Sequence, residues 1–243
     1  MKTIKNLTCE YWNNRADDYN KIRKQDWDVW KAHLSNILGC VKNQNILDIG
    51  TGPGTLSIPL AQLGANVTAI DLSPNMLEKV RDNAIANSIS ITHSQCDAEN
   101  LPFKDNSFDV VINKWLFWAL PNPEDALSEW KRVLKPNGTL IIIDGNWFAF
   151  KTSILKKLYY HLIAMPLVLI TERKNRWGAY SHLEDKLPMI SKNRPESDIE
   201  MLSKYGFETE LLDVNIPITS NFIESLKSGH QGKQFIVKGI NTH

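Results

Sequence analysis

Apolar positions in this chain gather into short runs that are closed by glycine or by a carboxylate. Ile46-Leu47-Asp48-Ile49 is one such run, and Gly50, Gly52 and Gly54 follow it at alternate positions before Thr55. The pattern predicts a strand, a tight turn and a helix, with backbone able to lie directly against a ligand because glycine has no Cβ. A second run, Gly64 to Asp71, ends in a carboxylate roughly one βαβ unit later and predicts a second strand. Ser73 then fits a helix N-cap, with Pro74 at the first helical position. Further along, Pro195 to Phe207 reads as a helix closed by Gly206, and Glu208–Ile216 and Gln234–Ile240 as the last two strands. At the other end, Tyr11, Arg15 and Tyr19 recur every four residues, which predicts one helical face. Leu158 to Ile170 is almost wholly apolar, yet it runs about 13 residues where a membrane-spanning helix needs about 20. Lys156 and Lys157 precede it, His161 interrupts it, and Pro166 is expected to kink it.

Glycine spacing narrows the ligand. A dinucleotide fingerprint requires G-x-G-x-x-G, and counting from Gly50 the last position is Thr55, so that pattern fails and a nicotinamide-dependent oxidoreductase is disfavoured. The motif present is D-x-G-x-G-x-G. Asp71, at the tip of the second strand, is placed to accept the hydroxyls of a ribose.

Asp48 through Gly54 is similar to the first motif of the class I S-adenosylmethionine-dependent methyltransferases. The resemblance extends in order along the chain. Asp71-Leu72-Ser73-Pro74-Asn75-Met76-Leu77 resembles the D-x-S-x-x-M-L stretch. Cys96-Asp97-Ala98-Glu99-Asn100-Leu101-Pro102-Phe103 resembles G-D-A-E-x-L-P-F, with Cys96 in the place of glycine. Ser107 to Asn113 resembles the S-F-D-x-V fourth strand, and Ala126 to Leu140 the turn into strand five. Tyr11 to Tyr19 resembles the opening of the ubiquinone/menaquinone-type and related small-molecule methyltransferases.

What the resemblance implies is an α/β, Rossmann-like fold: a seven-stranded, mostly parallel sheet with helices on both faces and a helical insert after strand five. It implies one domain over residues 1–243, with an N-terminal helical cap (1–40), a cofactor-binding core (45–145), an insert or lid (150–195) and the C-terminal part of the sheet (196–243). S-adenosyl-L-methionine is the implied cofactor. Its implied contacts are Tyr11, Tyr19, Asp48, Gly50, Thr51, Gly52, Gly54, Asp71 at the ribose, Leu72, Met76 and Asp97 with Ala98 at the adenine, Glu99, and Asn113 near the methyl donor.

Composition and charge change little. The 243 residues are 42% hydrophobic and 23% charged, enough for one sizeable core, and a net charge of +1 with interspersed signs marks no nucleic-acid face. Cys9, Cys40 and Cys96 are too widely spaced for a disulfide framework or a metal site, no metal is expected, and no signal-peptide pattern opens the sequence. The expectation is a cytoplasmic protein without stable membrane insertion, acting on a small molecule. A thiol-dependent reaction is disfavoured by the same cysteine positions.

The acceptor side rests on aromatic residues. Trp115, Trp118, Asn146 and Trp147 follow the fourth and fifth strands, at the carboxyl ends where doubly wound sheets bind ligands. They suggest a bulky apolar pocket floor. His161 and His182, both in the insert, are the candidate general bases, needed only for an acceptor that is protonated in its reactive form. The rival reading is a cofactor-binding regulatory protein that transfers no methyl group.

Overall fold

The computed structural model describes residues 3–23, 27–149, 153–172, 186–212, 226–227, 229 and 231–242. Seven strands form one sheet in the order β3-β2-β1-β4-β5-β7-β6. They are β1 (Asn45–Ile49), β2 (Asn66–Asp71), β3 (Thr92–Gln95), β4 (Phe108–Lys114), β5 (Leu134–Gly145), β6 (Phe207–Leu212) and β7 (Gln234–Asn241). Strands β1 to β5 pair in parallel, and β7 runs antiparallel to both β5 and β6. The four residues Leu140–Ile143 of β5 and the three residues Val110–Ile112 of β4 are buried on both faces. Such unbroken apolar runs are what a sheet covered on both sides requires. Chain order reverses direction between β1 and β4, so the carboxyl ends of β1, β2, β4 and β5 open on one edge with a crevice at the switch.

Helices α1 (Ile4–Asn13), α2 (Ala16–Arg23), α3 (Trp27–Leu38), α4 (Ser57–Gln62), α5 (Pro74–Ala86) and α6 (Pro123–Val133) surround this sheet. The caps of α5 are as the sequence predicts: Ser73 Oγ accepts the Met76 N–H at 3.2 Å and Pro74 occupies the first turn. Two hydrophobic clusters, one centred on Trp130 and Phe117 and one on Trp30 and Leu34, fill the opposite faces of the sheet.

Two expectations change. Tyr11, Arg15 and Tyr19 do not share one helix, because Asn14 and Arg15 turn the chain between α1 and α2. The Asn14 N–H still bonds to Glu10, while the Arg15 carbonyl already accepts the Tyr19 N–H at 2.9 Å and so begins α2. Tyr11 and Arg15 nonetheless meet, with Arg15 Nη1 donating to the Tyr11 hydroxyl at 2.9 Å. The apolar run of the insert is also longer than its composition suggests. Helix α7 (Ile154–Tyr159) passes through a π turn (Tyr160–Ala164) into α8 (Met165–Glu172), and Pro166 does not end it. Proline lacks an N–H for the preceding turn, and the wider π turn just before it absorbs that mismatch. The resulting stretch Ile154–Thr171 is 18 residues long, which by length and composition alone suffices to cross a membrane. Residues 213–216 of the predicted sixth strand, and 173–185 of the insert, lie outside the described residues.

Helix α9 (Glu196–Lys204) leads into β6 past Gly206, whose φ of 76° is the left-handed stop that the sequence indicated. It is locked to β5 by charge. Arg194 is buried and donates through Nη2 to Asp144 Oδ2 at 2.8 Å and through Nε to Asp198 Oδ2 at 2.8 Å, with a further ion pair from Nη2 to Asp198 Oδ1. Burial raises Asp198, whereas its two carboxylate neighbours hold Arg194 firmly protonated. Removing the one cation leaves two buried carboxylates facing each other, so Arg194→Met is expected to cost about 3–5 kcal/mol of folding stability. Urea denaturation measures this, and a loss below about 1 kcal/mol would show that the triad holds nothing together.

Candidate functional site

The turn after β1 is built from glycines because three successive alternate positions need left-handed backbone: φ is 67° at Gly50, 56° at Gly52 and 88° at Gly54. The Gly50 and Thr51 N–H groups both donate to the Ile70 carbonyl, at 2.8 and 3.0 Å, which ties the turn to the end of β2. A Cβ at Gly50 would stand 3.0 Å from the Leu116 side chain, so the loop after β4 lies against this turn. At Gly52 the nearest atom to such a Cβ is Tyr19 Cε1, at 3.6 Å, which sets α2 over the turn.

Two carboxylates organise it. Asp48 is buried and its Oδ2 accepts from Thr51 Oγ1 at 2.8 Å and Ser57 Oγ at 2.6 Å, so it braces the turn from within. Burial pushes its carboxyl above the ordinary range. Asp71, half-buried at the tip of β2, accepts the Gly52 N–H at 2.9 Å on one oxygen and the Ser73 N–H at 2.9 Å on the other. Each oxygen keeps a second lone pair for a ligand hydroxyl. Burial, aided by the neighbouring Asp48 charge, raises Asp71 to about 6 against the pull of those N–H donors.

The third wall is fixed by α1. Lys5 Nζ lies 2.6 Å from Asp97 Oδ2 and 2.5 Å from Glu99 Oε2. Asp97 also accepts the Glu99 N–H at 3.0 Å. Glu99 accepts from the Asn122 N–H and Nδ2 at 2.7 and 3.0 Å, so its carboxylate is engaged in holding the start of α6. The Ala98 carbonyl accepts Trp130 Nε1 at 3.0 Å. Met76 is buried under α5, and the Leu72 carbonyl accepts Cys9 Sγ and Gln95 Nε2, at 3.2 and 3.0 Å. Asn13 at the end of α1 receives the Ser73 hydroxyl at 2.6 Å.

Asn113 stands between this turn and the acceptor side. It pairs in register with Ile49 and Ile142, is wholly buried, and neither its Oδ1 nor its Nδ2 has a hydrogen-bond partner among the described residues. Buried amides without partners are rare in folded proteins, and one at a strand end beside a glycine turn fits a polar ligand group.

Beyond it the chain makes an aromatic corner. Trp115 has φ 59°, strained for a bulky side chain, and its ring meets Trp147 edge to face at 5.3 Å, with Lys114 Nζ over its face. Trp118 packs on Phe148 at 5.6 Å, and its indole donates to the Trp115 carbonyl at 3.0 Å. Asp144 anchors the corner, accepting Trp147 Nε1 at 2.8 Å and the Trp118 N–H at 3.0 Å in addition to Arg194. Asn146 is held through its backbone, which bonds to Lys233 and Gly232. Phe148, Leu187 and Ile190 form a separate cluster here that also takes in Ile4, Tyr11, Trp118 and Trp147.

The structure thus brings together Asp48, Gly50, Thr51, Gly52, Gly54, Asp71, Tyr19 and Asn113 on one side and Tyr11, Trp115, Trp118 and Trp147 on the other. His161 is exposed on the insert helix, its ring against Tyr160 at 5.0 Å, and His182 lies outside the described residues. Sequence reasoning missed Lys5, Asn13, Asp144 as an anchor, and Arg194. Only Asp144 carried a local signal, a carboxylate ending an apolar strand.

The sequence matches the methyltransferase domain family over residues 47–142. It is 30% identical over 191 residues to the ubiquinone/menaquinone biosynthesis C-methyltransferase of Azotobacter vinelandii, covering 74% of this chain and 72% of that one. It is 36% identical to a demethylmenaquinone methyltransferase of Clavibacter sepedonicus, over 65% of this chain and 64% of that one. Among solved structures, phosphoethanolamine N-methyltransferase 2 of Haemonchus contortus shares the fold with a TM-score of 0.69 at 18% identity, over all of this chain and 61% of that one.

The carboxyl of Asp71 gives a pH signature. Its folded value of about 6 exceeds the ordinary 3.8, so its contribution to stability is present below pH 4 and is lost as pH rises through 6. Thermal denaturation of the free protein from pH 4 to 7 should therefore show a decline that Asp71→Asn reduces. Identical pH profiles for the two proteins would place the titration elsewhere.

Proposed function

The chain belongs to the class I S-adenosylmethionine-dependent methyltransferases of the ubiquinone/menaquinone type, and from that premise we propose that its acceptor is a flat, apolar quinol-like or phenolic ring held at the Trp115–Trp147 corner. As a member of that family it transfers a methyl group from S-adenosylmethionine to a small molecule and releases S-adenosylhomocysteine. The observation that carries the acceptor reading is the left-handed backbone of Trp115. A strained φ at a bulky residue persists only where the surroundings enforce it, and such strain collects at ligand sites. Here it turns an indole toward Trp147, beside the glycine turn.

The residues present fit the cofactor. Asp71 offers acceptors to a ribose diol, the Gly52 backbone stands open except for Tyr19 at 3.6 Å from a would-be Cβ, and the Asn113 amide, unpartnered among the described residues, suits the polar amino-acid portion. Asp97, whose oxygens meet Lys5 and the Glu99 N–H, keeps further lone pairs for the adenine amino group. Tyr19 covers the glycine turn, and Tyr11 joins the acceptor cluster. When bound, the sulfonium supplies an activated methyl electrophile.

The chain's own part is then to bind, orient and exclude water. Effective molarity from aligning acceptor and methyl group accounts for much of the rate. The aromatic corner would hold a ring by its faces and edges. Carbon methylation, the reaction named for the Azotobacter relative, requires the acceptor ring to supply the electron pair and lose one proton from the methylated carbon. A ring already rich in electrons lowers the demand for a general base. The exposed position of His161 favours solvent contact over such a role. Three free thiols support a reducing, cytoplasmic setting, and the segment 187–190, packed on the same aromatic cluster, supports reading the insert as a lid.

Three outcomes are expected. Release of S-adenosylhomocysteine should be fastest with reduced naphthoquinones, benzoquinones or phenols; turnover confined to amines or thiols would remove the acceptor reading. Asp71→Ala should weaken S-adenosylmethionine binding by about 1–3 kcal/mol in calorimetry, since a hydroxyl pair loses its acceptor. Trp115→Ala or Trp147→Ala should cut kcat/KM by roughly tenfold or more while cofactor affinity stays within about twofold, as expected of groups that position only the acceptor.

A further inference from the structure

Of the large apolar side chains that stand exposed among the described residues, most belong to the single helix Ile154–Glu172. Ile154 and Leu155 are each 80% exposed, Ile170 75%, Leu162 72% and Leu158 52%, with Ile163 and Leu169 above 40%. Their recurrence at helical spacing places them on the outward face, opposite the buried Ala164 and Val168. A contiguous apolar surface of this kind marks a contact with something outside the molecule.

The inner face keeps the helix on the domain. The Tyr159 hydroxyl donates to the Leu226 carbonyl at 2.9 Å and Lys156 Nζ to the Gln231 carbonyl at 3.0 Å. A Cβ at Gly229 would stand 2.8 Å from the Tyr159 ring, so chain and helix approach closely there. These ties favour a helix lying along a surface over one that leaves the domain to span a bilayer.

Charge selects the partner. Along the sequence, Lys151, Lys156 and Lys157 bracket one end of the apolar stretch and Arg173, Lys174 and Arg176 the other, with Glu172 the one acidic residue between 151 and 176. The whole chain carries only +1, so the remainder is net negative. Two copies pairing through this face would bring basic ends together in either orientation, which opposes self-association. Apolar side chains outward with basic sequence at both ends is the pattern of helices that lie in the interface of an anionic bilayer.

We propose that the helix Ile154–Glu172 docks the protein on anionic lipid, its outward leucines and isoleucines entering the acyl boundary within a stretch of sequence that is basic at both ends. The helix begins nine residues after β5 ends at Gly145, just past the aromatic corner. Docking there sets the acceptor side near the source of any lipid-borne acceptor. The proposal stands apart from the acceptor reading, because vesicle binding is measured without turnover.

The test is flotation of the full chain with vesicles of phosphatidylglycerol and phosphatidylethanolamine, against vesicles of phosphatidylcholine alone. The expected result is flotation with the anionic vesicles, reduced several-fold by high salt or by phosphatidylcholine, and reduced about tenfold or more in a Leu155→Glu, Leu162→Glu double variant. Both positions are exposed, and unchanged circular dichroism and S-adenosylmethionine affinity would show the variant folded. Failure of the native chain to float with anionic vesicles, or equal flotation by the variant, overturns the proposal. So does a native dimer in size-exclusion chromatography that the variant splits, which would assign the face to a second copy of the chain.

Discussion

A buried carboxylate at the end of β5 sets the geometry on which the acceptor half of this protein depends. Asp144 receives the Gly145 N–H and Trp147 Nε1 on one oxygen and the Trp118 N–H and Arg194 Nη2 on the other. A fully buried charge is tolerated only when its lone pairs are met, so each of these donors is held in place by the cost of losing it. The loops after β4 and β5 and the start of α9 are thereby fixed relative to one another. Arg194 also stands over the Phe235 ring, 5.2 Å from its centroid, so the cation is compensated by rings as well as by oxygens. The aromatic corner is hydrophobic in composition but ionic in its support.

The donor half obeys a different rule. Its shape comes from backbone: three left-handed glycines, N–H groups returned to Ile70, and a carboxylate that accepts from Gly52. That is why it was legible in the sequence. A run of apolar residues ended by alternating glycines predicts the same strand and turn wherever it occurs, and Ser73 with Pro74 predicts the cap of α5 from local chemistry alone. Gly206 announced the end of α9 in the same way. What escaped was long-range. Lys5 pairs with Asp97 92 positions away, and Arg194 with Asp144 50 positions away. No periodicity records such a pair. The break at Asn14–Arg15 escaped because four-residue spacing is equally satisfied by one helix or by two joined at a turn. The full length of the insert helix escaped because Lys156 and Lys157 cut the apolar count at Leu158, whereas the helix begins before them at Ile154.

Electrostatics distinguish the two carboxylates of the turn. Asp48 is closed inside the protein and bonded to hydroxyls that cannot leave, so it serves the turn itself. Asp71 is half open, and its partners are N–H groups that leave acceptor capacity outward. The same burial that raises both therefore has different consequences, structural at one and ligand-responsive at the other, since donors on a ligand would favour the ionised Asp71.

Helix α1 joins the two halves. Its first turn carries Lys5 to Asp97 and Glu99, and its last carries Asn13 to Ser73 and Asn75, so it grips both carboxyl-edge segments of the donor wall. Between these grips Ile4 and Tyr11 pack with Trp118, Trp147 and Phe148 in the acceptor cluster. None of its residues is fully buried, and its contacts combine these apolar packings with hydrogen bonds and ion pairs. Partly exposed ion pairs contribute little individually, so α1 is held by several weak attachments of comparable strength. Because its attachments lie on both walls, α1 closes one side of the donor and acceptor halves alike, which suits a two-substrate reaction that must exclude water before the methyl group moves.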